Sequence, residues 1–187
     1  MKKSKIIALV VTLFFVLTSG WAVAEDAPQK VKDLASTTLA KLGTDPVIVA
    51  AVKAENAKGK TLDQIKSMDG KWKATAGIVD YMKALMDSEC GQHLRQIQDS
   101  EPYYAELFVM DNQGANVAMT DKTSDYWQGD EAKFQKSYNG GSGAVFVDEV
   151  EFDDSAQAYL CQVSVPVKDG AEVIGAITIG IDVDKIQ

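Results

Sequence analysis

The chain has 187 residues, with 19 lysines and arginines against 27 aspartates and glutamates, for a net charge of -8. That balance argues against nucleic acid or an anionic membrane surface as a partner. A 46 % hydrophobic, 25 % charged composition suits a globular chain with one full core.

Lys2, Lys3 and Lys5 precede an apolar run, Ile6 to Leu17, and Ala22-Val23-Ala24 has the A-x-A form of a cleavage site. Residues 1–24 are therefore predicted to be a signal peptide, cleaved after Ala24, with 25–187 a single periplasmic domain. The alternative is a retained anchor, although the run is short of the roughly 20 residues a bilayer span needs. In that oxidising compartment Cys90 and Cys161 can form a bridge or remain two buried thiols, and their spacing leaves both open.

The part 28–99 reads as helical. Val31, Leu34, Leu39 and Leu42 have helical spacing over Pro28–Leu42, with Gly43 as the stop. Thr44-Asp45-Pro46 opens a second helix that runs to Lys58-Gly59. Thr61 opens a third, whose apolar spacing continues through Trp72 and Met82 to about Asp87. Gly91–Gln98 makes one more short helix.

The part 103–184 reads as strands. Tyr103 to Met110 alternates with period two, Asp111-Asn112-Gln113-Gly114 is a hairpin turn, and Asn116–Thr120 returns. Asp130–Tyr138 forms a short helix. Ala144–Phe152, Ala158–Val167 and Glu172–Val183 are joined by tight turns, so they form an antiparallel meander. The expected architecture is α+β, a five-stranded antiparallel sheet with helices packed on one face. That face carries Leu107, Val109, Val117, Met119, Val145, Val147, Tyr159, Cys161, Val163, Val165, Ile177, Ile179 and Ile181. The other mixes polar, small and aromatic residues: Phe108, Met110, Ala118, Thr120, Phe146, Asp148, Gln162, Ser164, Ala176, Thr178 and Gly180.

The segment Thr120–Phe134 leaves the second strand and can fold over that mixed face. It sets Tyr126 beside Trp127 among polar residues, as small-ligand sites on loops often do. Ala105–Thr120, Thr123–Phe134 and Val163–Asp182, with Asp45–Ala57 in the helical part, resemble the extracytoplasmic PAS-like sensor domains called Cache or PDC domains. The resemblance implies a PAS-like sheet carrying long N-terminal helices. It also implies a small molecule bound on the sheet face away from them, beneath the loops between the second and third strands. Such domains often dimerise through their long helices. They are usually joined through membrane spans to a kinase, chemoreceptor or cyclase, whereas this chain ends at Gln187, just after its last strand. Signalling is therefore expected to pass through a separate membrane protein, such as a receptor or kinase.

The expected ligand contacts are Tyr126 and Trp127 by stacking, Asp125 toward an ammonium group, Tyr104 at the pocket mouth, and Gln162, Ser164 and Thr178 from the sheet. Each has a plainer reading: core filling for the aromatics, loop or helix-start hydrogen bonds for Asp125, and solvent or loop contacts for the others. Arg95, the only arginine, reads as a solvated helix residue, and the acids from Asp148 to Asp154 as a solvated hairpin end. No nucleophile elbow, metal-binding motif or phosphate loop is present, so neither an enzyme nor a metal or cofactor is expected. The function these readings support is a periplasmic sensor of a small organic solute, such as a carboxylate or amino acid. The alternative is a ligand-free module docking on a membrane receptor.

Overall fold

The computed structural model describes residues 26–153 and 156–186. The predicted signal peptide and its cleavage point lie outside them. Among the described residues six α-helices precede or interrupt five strands: α1 Gln29–Ser36, α2 Pro46–Asn56, α3 Leu62–Ala74, α4 Asp80–Asp87, α5 Glu89–Gln98, β1 Tyr104–Met110, β2 Asn116–Met119, α6 Ala132–Tyr138, β3 Phe146–Asp153, β4 Ala158–Asp169 and β5 Glu172–Asp182. Among the described residues no helix is long and apolar enough to cross a membrane.

The helix starts follow the local chemistry. Asp45 caps α2 by accepting from the Val47 and Ile48 amides, and Thr61 with Gln64 forms a capping box on α3. Two expected long helices are divided. After α1 the chain continues as a 3₁₀ turn, Leu39–Thr44. There the Ser36 and Thr37 hydroxyls fold back on the Asp33 carbonyl, at 3.0 and 2.7 Å, and compete with helical pairing. Between α3 and α4 the chain leaves the helix at Thr75 and passes through Gly77 at φ +71°. Lys122 donates to the freed Thr75 and Gly77 carbonyls.

The strands form one antiparallel sheet in the order β2-β1-β5-β4-β3, a PAS-like arrangement. On one face Leu107, Val109, Val163, Ile177 and Ile179 pack against Val31, Ile48, Val52 and Leu94 of α1, α2 and α5. The other face is covered as well: Phe108, Met110 and Ala176 meet Ile65, Trp72 and Met82 of α3 and α4, with Tyr126 and Phe134.

Two face assignments change. Met119 stands opposite Phe108, on the mixed face, while Ala118 pairs with Val109 on the other. The cause is a bulge between Val109 and Met110, and a shift of one residue moves every side chain across the sheet. Tyr159 is 52 % exposed and meets Phe152, 50 % exposed, edge to face at the end of the β3–β4 hairpin, beyond the helical cover.

Cys90 and Cys161 are both buried and free. Burial pushes their thiols up to about 12 and about 11. Native protein at pH 8 is therefore expected to react slowly with a thiol reagent, with both thiols reacting once denatured. Rapid labelling of either cysteine in the native state would contradict this burial.

Candidate functional site

The Thr120–Phe134 segment is pinned on every side. The Asn116 amide donates to the Tyr126 carbonyl at 2.9 Å and the Gln128 amide to the Gly114 carbonyl at 2.7 Å. With the Ala115–Trp127 bridge, these bonds lay the segment along the outer edge of β2 as a short extra strand. Asp69 of α3 accepts from the Tyr126 and Trp127 amides at 3.0 and 3.1 Å. Arg95 of α5 donates to the Thr120 carbonyl, so the lone arginine secures the start of the segment. Trp72 donates its indole N–H to the Thr123 carbonyl at 2.8 Å.

Beneath the segment lies a cavity of about 290 Å³, lined by Trp72, Lys73, Glu106, Phe108, Lys122, Thr123, Ser124, Gln128, Lys133, Asp153 and Gln162. Its floor belongs to the sheet. Glu106 of β1 and Gln162 of β4 flank Gly180 of β5. A Cβ at Gly180 would lie 2.7 Å from Glu106 Cγ, so the missing side chain lets Glu106 cross the central strand. There it accepts from Gln162 Nε2 at 2.8 Å. Burial raises the Glu106 carboxyl above its ordinary range, outweighing that hydrogen bond.

Of the residues expected to touch a ligand, Gln162 lines this cavity. Tyr126 is buried in the core, tilted against Trp72 with centroids 5.6 Å apart, and its hydroxyl accepts from Lys60 at 3.2 Å. Trp127 points elsewhere: its indole donates to the Gln113 carbonyl and Lys66 lies 4.5 Å from its ring. Asp125 pairs with Lys73 at 2.6 Å. Burial works to raise its carboxyl, but Lys73 and the Ser124 hydroxyl outweigh burial and hold it low. Tyr104 is buried in the helix-covered core. Ser164 and Thr178 are fully buried and bond each other at 2.8 Å. Sequence reasoning missed Trp72, Glu106, Lys122, Gln128 and Lys133. For Glu106 a signal existed, since an acid in an apolar strand shares a face with Phe108.

The polar groups are unevenly satisfied. Lys73 is held by Asp69 and Asp125, and Lys122 by two carbonyls. Lys133, only 17 % exposed, pairs loosely with Glu131 at 3.5 Å and lies 5.7 Å from the Phe108 ring. Gln128 donates to the Asp125 carbonyl at 2.8 Å, while its Oε1 is buried without a partner among the described residues.

No family model and no curated protein matches the chain. Solved structures do. The sensor domain of the V. cholerae histidine kinase DctB matches at 14 % identity and TM-score 0.43, over 84 % of this chain and 55 % of that one. The sensory domain of the Campylobacter jejuni chemoreceptor Tlp3 matches at 14 % and 0.44, over 86 % and 67 %. The ligand-binding domain of the Pseudomonas aeruginosa amino acid chemoreceptor PctC matches at 8 % and 0.39, over 84 % and 61 %. The chain thus spans about 55–67 % of the length of these domains. The structures to which the chain is similar are thus sensor or ligand-binding domains of histidine kinases and chemoreceptors.

Proposed function

We propose that this chain is a periplasmic sensor domain that binds a small polar solute, a carboxylate or an amino acid, in the cavity beneath Thr120–Phe134. Binding is reported to a separate membrane protein. The carrying observation is the cavity itself: about 290 Å³, walled by Trp72 and Phe108 and lined by lysines and acids. Two aromatic walls give a ligand contact surface, and the polar groups around them give a small polar solute its hydrogen-bond and charge partners. Lys133, with its long ion pair, is the residue suited to meet a ligand carboxylate.

The test uses Trp72 as reporter. In a mature Trp127→Phe protein Trp72 is the remaining tryptophan. Titration with a metabolite panel is expected to change its fluorescence and raise the melting temperature. L-valine and GABA, present in complexes of two similar domains, belong in the panel. A broad panel that moves neither signal would end this reading. The exposed Phe152–Tyr159 pair favours a second one, a ligand-free module docking on a membrane receptor. In that case replacing the pair abolishes capture of a receptor from membranes, and no metabolite shifts stability.

A further inference from the structure

Within the cavity each lysine is directed at the protein's own acceptors: Lys73 at two carboxylates, Lys122 at two carbonyls, Lys133 at Glu131. The acceptors are less well served. Glu106 meets a neutral amide, Gln162, and makes no ion pair within 4 Å among the described residues. Gln128, 1 % exposed, spends an amide hydrogen on the Asp125 carbonyl and leaves Oε1 unpartnered. A half-buried carboxylate without a cation and a buried carbonyl without a donor both cost stability unless something else supplies hydrogens. What is missing is a donor with positive charge.

We infer that the cavity is a primary-amine site, in which the Glu106 carboxylate is the counter-charge and Gln128 Oε1 a neutral acceptor for an R–NH₃⁺ group. This rests on the binding function proposed above and decides between its two ligand classes, since a carboxylate without an amine leaves both acceptors unmet. Two sources supply the same chemistry, an amino acid or an alkyl diamine. The adjoining hollows make the second source worth testing. One shares Lys133, Asp153 and Gln162 and adds Asp148, Glu149 and Glu151; the other shares Glu106 and Lys122 and adds Asp121, its Asp182 being paired with Lys185 at 2.8 Å. A second ammonium group extending from the cavity would meet the larger excess of acids in the first of these hollows.

Affinity is expected to depend on pH. Burial raises the Glu106 carboxyl; Asp153 and Asp121 act in the same direction, while Gln162 and Lys133 oppose it. Lys73 and Lys122 line the same cavity. Acidification therefore neutralises Glu106 while the ligand amine stays charged, and binding weakens as pH falls through the folded-state value. The stability sign is opposite. A raised carboxyl binds more protons folded than unfolded, so its contribution is present at low pH and lost as pH rises. Glu106→Gln removes that loss and is expected to leave the ligand-free protein at least as stable at neutral pH, which makes it a folded control.

The test pairs each amine with its hydroxy analogue, by calorimetry on the mature protein: L-valine with 2-hydroxyisovalerate, and 1,4-diaminobutane with 1,4-butanediol, across a series of such pairs. Amines are expected to bind about tenfold or more tightly than their partners. Glu106→Gln is expected to remove that margin and its pH dependence, and Gly180→Ala to shrink it by displacing Glu106. Whichever arm binds identifies the source. If hydroxy analogues bind as well as amines, or Glu106→Gln leaves amine affinity intact, the amine site is overturned and the binding function stands. If no member of any pair binds, both fall.

Discussion

Replacing Trp72 with alanine is expected to cost about 3–5 kcal/mol of stability, the range for truncating a buried aromatic. The ring is fully buried, tilts against Tyr126 and Tyr81 at 5.6 and 6.1 Å, and its N–H holds the Thr123 carbonyl. One substitution thus opens a void in the second core, leaves a segment carbonyl unmet and removes a cavity wall. For a domain of this size the melting temperature should drop by roughly 10 °C. Trp72→Phe keeps most of the packing and loses the hydrogen bond, so its cost should be smaller, about 1–2 kcal/mol. Urea denaturation measures both. A Trp72→Ala protein within about 1 kcal/mol of the parent would mean the ring is not packed as described.

The second large effect is expected at Asp69. Its Oδ1 accepts from the Tyr126 and Trp127 amides, and its Oδ2 pairs with Lys73 at 2.8 Å. The side chain is nearly buried, whereas Lys73 is half exposed, so the two amide bonds outweigh the ion pair. Asp69→Ala strands both N–H groups and should cost about 2–4 kcal/mol. Asp69→Asn retains an acceptor oxygen and should cost about half as much or less. Amide hydrogen exchange gives the more specific readout. In Asp69→Ala the Tyr126 and Trp127 amides should exchange much faster, while those at the centre of β5 change only with global stability. Unchanged protection at these two amides would show that other contacts hold the segment.

The two effects share a cause. The cavity exists because the segment above it is fixed, and α3 fixes it through Trp72 and Asp69. Neither residue stands out in the sequence. Trp72 reads as one apolar position in a helical stripe, and Asp69 belongs to no motif. Tyr126 and Trp127, which do stand out, serve the scaffold: one fills the second core, and the other anchors the segment to the β1–β2 hairpin.

What the sequence determined by itself was the local order of this protein. Capping at Asp45 and Thr61, period-two alternation from Tyr104, the Asp111–Gly114 turn and the tight turns of the meander depend on near neighbours. From them the α+β class, the antiparallel meander and the mixed sheet face under Thr120–Phe134 were all legible. Tertiary structure decided the rest, because the decisive contacts join residues far apart in the chain. Whether Ser164 and Thr178 line a cavity or bond each other depends on the β4–β5 register. Glu106 becomes a floor residue because the strand pairing sets only Gly180 between it and Gln162. Trp72 becomes a wall because α3 reaches a carbonyl at Thr123, 51 residues away. Periodicity specifies which face a side chain takes, and packing alone specifies which distant group waits there.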